Sequence, residues 1–209
     1  MNNTFSLILV AILVMSSTCL AAESGEPSVA IITGEVRDPT STEITFKYDS
    51  PWALGRQSEQ RVRLDSRNRF ALEIPVVRGT LVRGSYKGRS VPWKWVRQAA
   101  SYVFKPGPLV LYVEPGDSLH IRIHPGRLYT SSRFSGTNAD NSRFIAEWYP
   151  RFQDFQRKIR DSRTVKAADF SRLADGWRTD QLEFLNRRRT RYAFSPGFIE
   201  YAKRFFNYT

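Results

Sequence analysis

His120, Arg122 and His124 alternate along "SLHIRIH", so an extended chain presents all three on one side. Imidazoles are common metal ligands and proton shuttles. Two residues at i and i+4 on a strand, however, stand ~13 Å apart at ~3.3 Å per residue. One ion cannot bridge that gap, and Arg122 between the histidines repels cations. The expected reading is a polar, solvated sheet face with no metal. The chain has no other histidine, so a hydrolase triad has few candidate bases. The sequence shows no Gly-rich phosphate loop, zinc spacing or G-x-S-x-G element, and its carboxylates are scattered. No catalytic residue and no cofactor is assigned.

A second candidate is electrostatic. No acidic residue lies between Glu73 and Glu114. That interval holds Arg78, Arg83, Lys87, Arg89, Lys94, Arg97 and Lys105, interleaved with Tyr86, Trp93, Trp95 and Tyr102. Cations hold phosphates, and aromatic faces stack on sugars or bases. Arg83, Lys87, Arg89, Trp93, Lys94, Trp95 and Arg97 are therefore the expected contacts for an anionic polymer or a glycan. The plainer reading is a hairpin with aromatics packed inward and basic groups in water. The run Arg187, Arg188, Arg189 and Arg191 reads as a solvated helix end, with an acidic partner surface as its alternative. The formal charge of the whole chain is +12. Such a field attracts polyanions, and it also serves solubility.

These groups need a scaffold. Over residues 29–135, short runs rich in β-branched and aromatic residues alternate with turn clusters. "VAIITGEV", "EITFKY", "RVRL", "RFALEI", "GTLVRGSY", "ASYVF", "PLVLYV" and "SLHIRI" read as strands, and "SPWALGRQSEQ" as a loop. Eight or nine such strands predict an antiparallel β-sandwich or open barrel. In "YVEPGDSLHIRI", Leu109, Leu111 and Val113 share one face of a strand, and Leu119, Ile121 and Ile123 share one face of the next. Pro115 presets φ, Gly116 supplies the positive φ of a type II turn, and Asp117 can bond nearby N–H groups. The expectation is a hairpin or tight reversal.

From residue 137 the apolar period changes from two to about 3.6. Thr137 or Asn138 can cap a helix with Phe144, Ile145 and Trp148 on its apolar face, and Pro150 is expected to kink or end it. A second helix shows Phe170, Leu173, Trp177, Phe184 and Leu185 near one face. Ser195 and Pro196 form a capping pair for a last helix bearing Phe198, Ile199, Ala202, Phe205 and Phe206. That face must fold back on the module or meet a partner.

The N-terminus reads as a processed leader. "SLILVAILVM" is a short apolar run followed by small residues, as in a signal peptide ending near Ala22. Its removal takes the chain's one cysteine, Cys19, and leaves no thiol for disulfide or redox chemistry. Lipid anchoring at Cys19 is the alternative, on a poor match to the usual preceding residues. Residues 1–22 hold no charged side chain, so the processed chain keeps the full charge. The organisation is thus a signal peptide over 1–22, a β-sandwich-like domain over 29–136 and a helical segment over 137–209. The processed chain has no expected transmembrane helix.

Three stretches in order carry a resemblance. "LDSRNRFALEI" resembles d-x-x-G-x-F-x-f-x-i, "LYVEPGDSLHIRI" resembles lyl-x-PGD-x-l-x-i, and "FSGTNADNSRFI" resembles f-x-G-x-x-A-x-x-N-x-f-l. Over about residues 30–150 the chain is similar to the N-terminal (DUF4369-like) domain that precedes the thioredoxin-like domain in TlpA-type thiol-disulfide oxidoreductases of Bacteroidetes. The resemblance carries over a turn at Pro115, Gly116 and Asp117, and a sandwich-to-helix junction at Gly136, Ala139 and Asn141. It carries over no redox residue, since no C-x-x-C is present. Asn68 stands where the pattern has Gly. The resemblance implies an exported, non-catalytic accessory or binding module of the periplasm or cell envelope. Its implied partner is a thioredoxin-like or other envelope protein, met through the C-terminal helices. The alternatives are a basic binder of envelope polyanions or glycans through residues 78–105, or a truncated piece of a longer thioredoxin-family protein. A specific nucleic-acid partner is not expected.

Overall fold

The computed structural model describes residues 27–39, 41–50, 56–86, 109–124, 132–161 and 167–208. The leader, the "ASYVF" strand and the 87–108 stretch lie outside them. Eight strands form two four-stranded sheets, and three helices follow. The first sheet has the order β4 (Arg69–Val76), β1 (Ser28–Val36), β7 (Ser118–Ile123), β8 (Arg133–Gly136). The second has the order β3 (Gln57–Arg63), β2 (Glu43–Asp49), β5 (Thr80–Tyr86), β6 (Leu109–Val113). All pairings are antiparallel except β1 with β7, which run parallel with Thr33 opposite His120. Both sheets are open, so the architecture is a sandwich with a helical C-terminus.

Alternation builds the sandwich. Ala30, Ile32 and Val36 of β1, Phe70, Leu72, Ile74 and Val76 of β4, and Leu119, Ile121 and Ile123 of β7 all point inward. They meet Ile44, Phe46 and Tyr48 of β2 and Val82 of β5 from the other sheet. Each fully buried Ile, Leu or Phe contributes about 1.5–3 kcal/mol over an exposed one. The anticipated hairpin at "EPGD" is not formed. β6 and β7 belong to different sheets, so the turn is a corner that carries the chain across the sandwich. Its geometry is nonetheless that of a type II turn: Gly116 has φ of 80°, and Asp117 N–H donates to the Glu114 carbonyl at 3.1 Å. The "DSRN" turn likewise crosses between sheets, from β3 to β4. Asn68 takes a φ of 59° there, a conformation that Asn tolerates in place of Gly. The expected loop over 50–60 is shorter than read. Gln57–Gln60 pair with β2, because an exposed edge strand is built from polar residues that carry no apolar alternation.

β6 is buried along all five residues because it faces two cores. Leu109, Leu111 and Val113 enter the sandwich, while Val110 and Tyr112 enter a second core with the helices. Helix α1 (Ala139–Asp161) covers this outer face, and helices α2 (Ala167–Arg188) and α3 (Pro196–Tyr208) complete the layer. The Ser142 hydroxyl of α1 accepts from Tyr112 N–H at 3.1 Å and donates to the Tyr112 carbonyl at 3.0 Å, so it satisfies both backbone groups of Tyr112. Pro150 neither ends nor interrupts α1, which runs on to Asp161. The packing of Trp148, Phe155, Trp177 and Phe206 on both sides of Pro150 holds the helix together. Inside that core, Trp148 Nε1 donates to Gln181 at 2.9 Å. Phe170 and Leu173 do not join it. They are exposed on the first turns of α2, and only Trp177, Phe184 and Leu185 of the expected face are buried. The apolar face of α3 folds back onto the module, where Phe198 packs edge-on against Tyr112 and Phe144.

Candidate functional site

The two stretches singled out in sequence meet in one buried polar junction. Glu114, between β6 and the turn, accepts from Tyr112 Oη at 3.2 Å and from Ser195 Oγ at 2.9 Å on one carboxylate oxygen. Its other oxygen accepts from Asn138 Nδ2 at 3.2 Å. The same Asn138 amide donates to Asp117 Oδ1 at 2.8 Å, and Asp117 Oδ2 accepts from Glu114 N–H at 2.8 Å. Asn141 Nδ2 donates to Ser195 Oγ at 2.9 Å, and the Ser195 oxygen in turn accepts from Phe198 N–H at 3.1 Å as the cap of α3. Burial is the main cause that lifts the Asp117 carboxyl above its ordinary range, and the Glu114 charge adds to it. Burial, followed by the nearby Glu114 carboxylate, raises the Tyr112 hydroxyl far above the usual phenol value. Asn138, with φ of 53°, spends its side chain on Glu114 and Asp117 rather than on capping α1. Gly136 and Gly197 permit this closeness. A Cβ at Gly136 would sit 2.1 Å from the Ser118 carbonyl, and one at Gly197 would sit 2.4 Å from Glu114 Oε1. The bonds from Asn138 and Ser195 to these carboxylates join separate chain segments, so the junction is a clasp between turn, helix start and final helix.

A different place has the shape of a binding site. A cleft of about 720 Å³ opens between β8, the middle of α1 and the end of α2. Its floor is apolar, formed by Phe134, Ala146, Pro150 and Phe184. Its walls carry Arg133, Arg143, Arg151 and Arg188 against the single carboxylate of Glu147. Spacing explains the convergence. Arg143, Glu147 and Arg151 recur every four residues and stack on one face of α1. Arg188 reaches across from the end of α2, and Arg133 lies on β8. Arg151 and Arg188 place their guanidinium groups over the Phe184 ring, 4.6 and 5.1 Å from its centre. Arg188 pairs with Glu147 at 2.8 Å, and Tyr192 donates to the other Glu147 oxygen at 2.5 Å. Burial and that bond to Glu147 raise the Tyr192 hydroxyl above its ordinary value. Arg143 is tied to Asp140 and to the Phe134 carbonyl. Among the described residues, Arg133 and Arg151 have no carboxylate partner.

No family model matches the chain, and no curated protein matches it. Among solved structures, it is similar to a candidate cell adhesion protein from Bacteroides ovatus ATCC 8483, at 5% identity and a TM-score of 0.30. The likeness covers 54% of this chain and 44% of that one. At that score it supports no argument on fold or function.

The residues singled out in the sequence are distributed unevenly. Pro115 and Gly116 are exposed, Asp117 is buried, and all three form the corner. Gly136, Ala139 and Asn141 form the sandwich-to-helix junction, with Ala139 and Asn141 buried. Arg83 is exposed on β5 beside Lys47 of β2. Lys87, Arg89, Trp93, Lys94, Trp95 and Arg97 lie outside the described residues. His120 is exposed, with Nδ1 3.0 Å from Thr33 Oγ1, and Arg122 pairs with Glu35. Among the described residues, no cluster of His, Cys, Asp and Glu could hold a metal ion, and no helix is long and apolar enough to cross a membrane. The cleft was missed in sequence. Its signals were the R-x-x-x-E-x-x-x-R spacing of α1 and a half-buried Arg188 within a run read as solvated.

Proposed function

We propose that this chain is an exported, non-catalytic binding module that engages anionic groups, and that the arginine cleft is where it does so. The observation that carries this reading is the pair Arg133 and Arg151, two guanidinium groups at one cleft with no carboxylate among the described residues to neutralise them. Arginine suits the task. Its planar fork binds carboxylate, sulfate or phosphate through two parallel bonds, and it stays charged at any working pH. Export is supported by the apolar leader-like stretch at residues 6–15, and the envelope is rich in anions that a +12 chain attracts.

Retention on immobilised heparin or lipopolysaccharide tests the reading. The wild type is expected to elute at moderate salt, and Arg133→Gln with Arg151→Gln is expected to elute markedly earlier. Arg172→Gln, at an exposed ion pair with Asp169 on the early part of α2, serves as the control and should change little. If the cleft variants elute with the wild type while neutralising Arg89, Lys94 and Arg97 abolishes retention, the binding surface is the 78–105 stretch and the cleft reading fails.

A further inference from the structure

Resting on the anion-binding reading, we infer that the ligand of the cleft is a small amphipathic anion: an apolar body that carries one carboxylate or phosphate-ester head. Three features point this way. The first is the floor. Phe134, Ala146, Pro150 and Phe184 offer carbon and no hydrogen-bonding side chain. A bare inorganic anion would leave that floor wet, whereas an apolar body would cover it. The second is the position of the free charge. The Arg151 guanidinium sits 4.6 Å above the Phe184 ring, at the edge of the apolar floor. A head group held by its fork leaves the rest of the ligand against Phe134, Ala146 and Pro150, since Arg151 and Arg188 already cover the Phe184 ring. The third is the wall formed by Glu147. Its carboxylate is fixed between Arg188 and Tyr192 and adds negative charge beside the free arginines. One anionic head is accommodated there, and a second charge on the same small ligand would face that carboxylate. The volume agrees, since about 720 Å³ falls within the range of sites for small molecules.

Calorimetric titration of the folded full chain with straight-chain carboxylates, from butyrate to decanoate, is the direct test. Inorganic phosphate and heparin run in parallel, and far-UV circular dichroism confirms that the fold persists. Affinity is expected to rise two- to four-fold for each added CH₂, in line with the burial of methylene groups. Arg151→Gln, on an exposed side chain, is expected to weaken decanoate at least ten-fold. Decyl phosphate in place of decanoate reads which head is preferred, and tighter binding of either than of its neutral alcohol supports the inference. If affinity is flat with chain length while phosphate or heparin binds in an Arg151-dependent way, the anion-binding reading stands and the amphipathic ligand is overturned. If binding rises with chain length but ignores Arg151→Gln, the apolar body binds elsewhere and the inference also falls. If none of these anions binds, both readings are overturned.

Discussion

Asn138 Nδ2 donates to Asp117 at 2.8 Å and to Glu114 at 3.2 Å, so one amide ties the corner between the sheets to the start of the helical layer. Two carboxylates packed together would repel, and the shared donor offsets part of that cost. Asn138 also stands at φ of 53°, which few side chains tolerate. Asn138→Gly keeps that backbone state and removes only the amide. It is expected to lower stability by about 1.5–3 kcal/mol, the range for hydrogen bonds to charged groups, read as a shift of the urea midpoint. An unchanged midpoint would mean that the clasp contributes nothing.

Ser142→Ala should act on the backbone of β6. It leaves the N–H and carbonyl of Tyr112 unsatisfied inside the second core. The expected loss is about 1–3 kcal/mol. Hydrogen exchange localises it: the Tyr112 amide should lose protection by a larger factor than the amides of β2 at the sandwich centre.

Two glycines at positive φ separate backbone strain from collision. Gly116 has open space where a Cβ would stand, so Gly116→Ala should cost only the left-handed penalty of about 1–2 kcal/mol. Gly136→Ala adds a Cβ 2.1 Å from the Ser118 carbonyl, and should cost about 2–5 kcal/mol. Thermal melts of the two variants should therefore differ clearly, with Gly136→Ala melting lower. The reverse order would refute the geometry given for the junction.

Asp117 makes the pH dependence specific. Burial raises its carboxyl above the ordinary 3.8. The folded state therefore keeps this proton to a higher pH than the unfolded chain does. The resulting contribution to stability is fully present below 3.8 and is lost as the pH rises through the folded value. A ¹³C titration of the Asp117 carboxyl should give a midpoint above 3.8, and a midpoint at or below it would contradict the burial argument.

Much of the fold was legible because alternation and burial are the same physics. Ile32, Phe46, Leu72 and Ile121 point inward as their period of two demands. The change of period at residue 137 located the helices to within a few residues. What alternation cannot report is which sheet a strand joins. "EPGD" has the chemistry of a tight turn, and a tight turn serves a corner as well as a hairpin, so β6 and β7 parted company unseen. β3 was partly missed for the opposite reason: Gln57, Glu59 and Gln60 sit on an exposed edge and need no apolar partners. β8 was passed over because Arg133–Gly136 offers one buried side chain, Phe134. Phe170 and Leu173 had helical spacing but no surface to cover. The turn and junction motifs were each readable; that Glu114, Asn138 and Ser195 would close them into one cluster was not, because the three come from segments far apart in the chain. The cleft was illegible for the same reason, since α1, α2 and β8 each supply part of its wall.

The parallel pairing of β1 with β7 has a bearing on how the chain is made. Thr33 and His120 lie 87 positions apart, yet they face each other across adjacent strands. β1 emerges early and can zip to β4, but the other flank of its Ile31–Val36 stretch, with Ile31, Ile32, Thr33 and Val36 among its residues, then waits for nearly half the polypeptide to arrive. Loops of that span close slowly, and an open, β-branched edge is the kind of template on which neighbouring nascent chains stack. During synthesis this strand is where a holdase would be most useful, and the yield of soluble product should depend more on what shields β1 in those first moments than on the final stability of the sandwich.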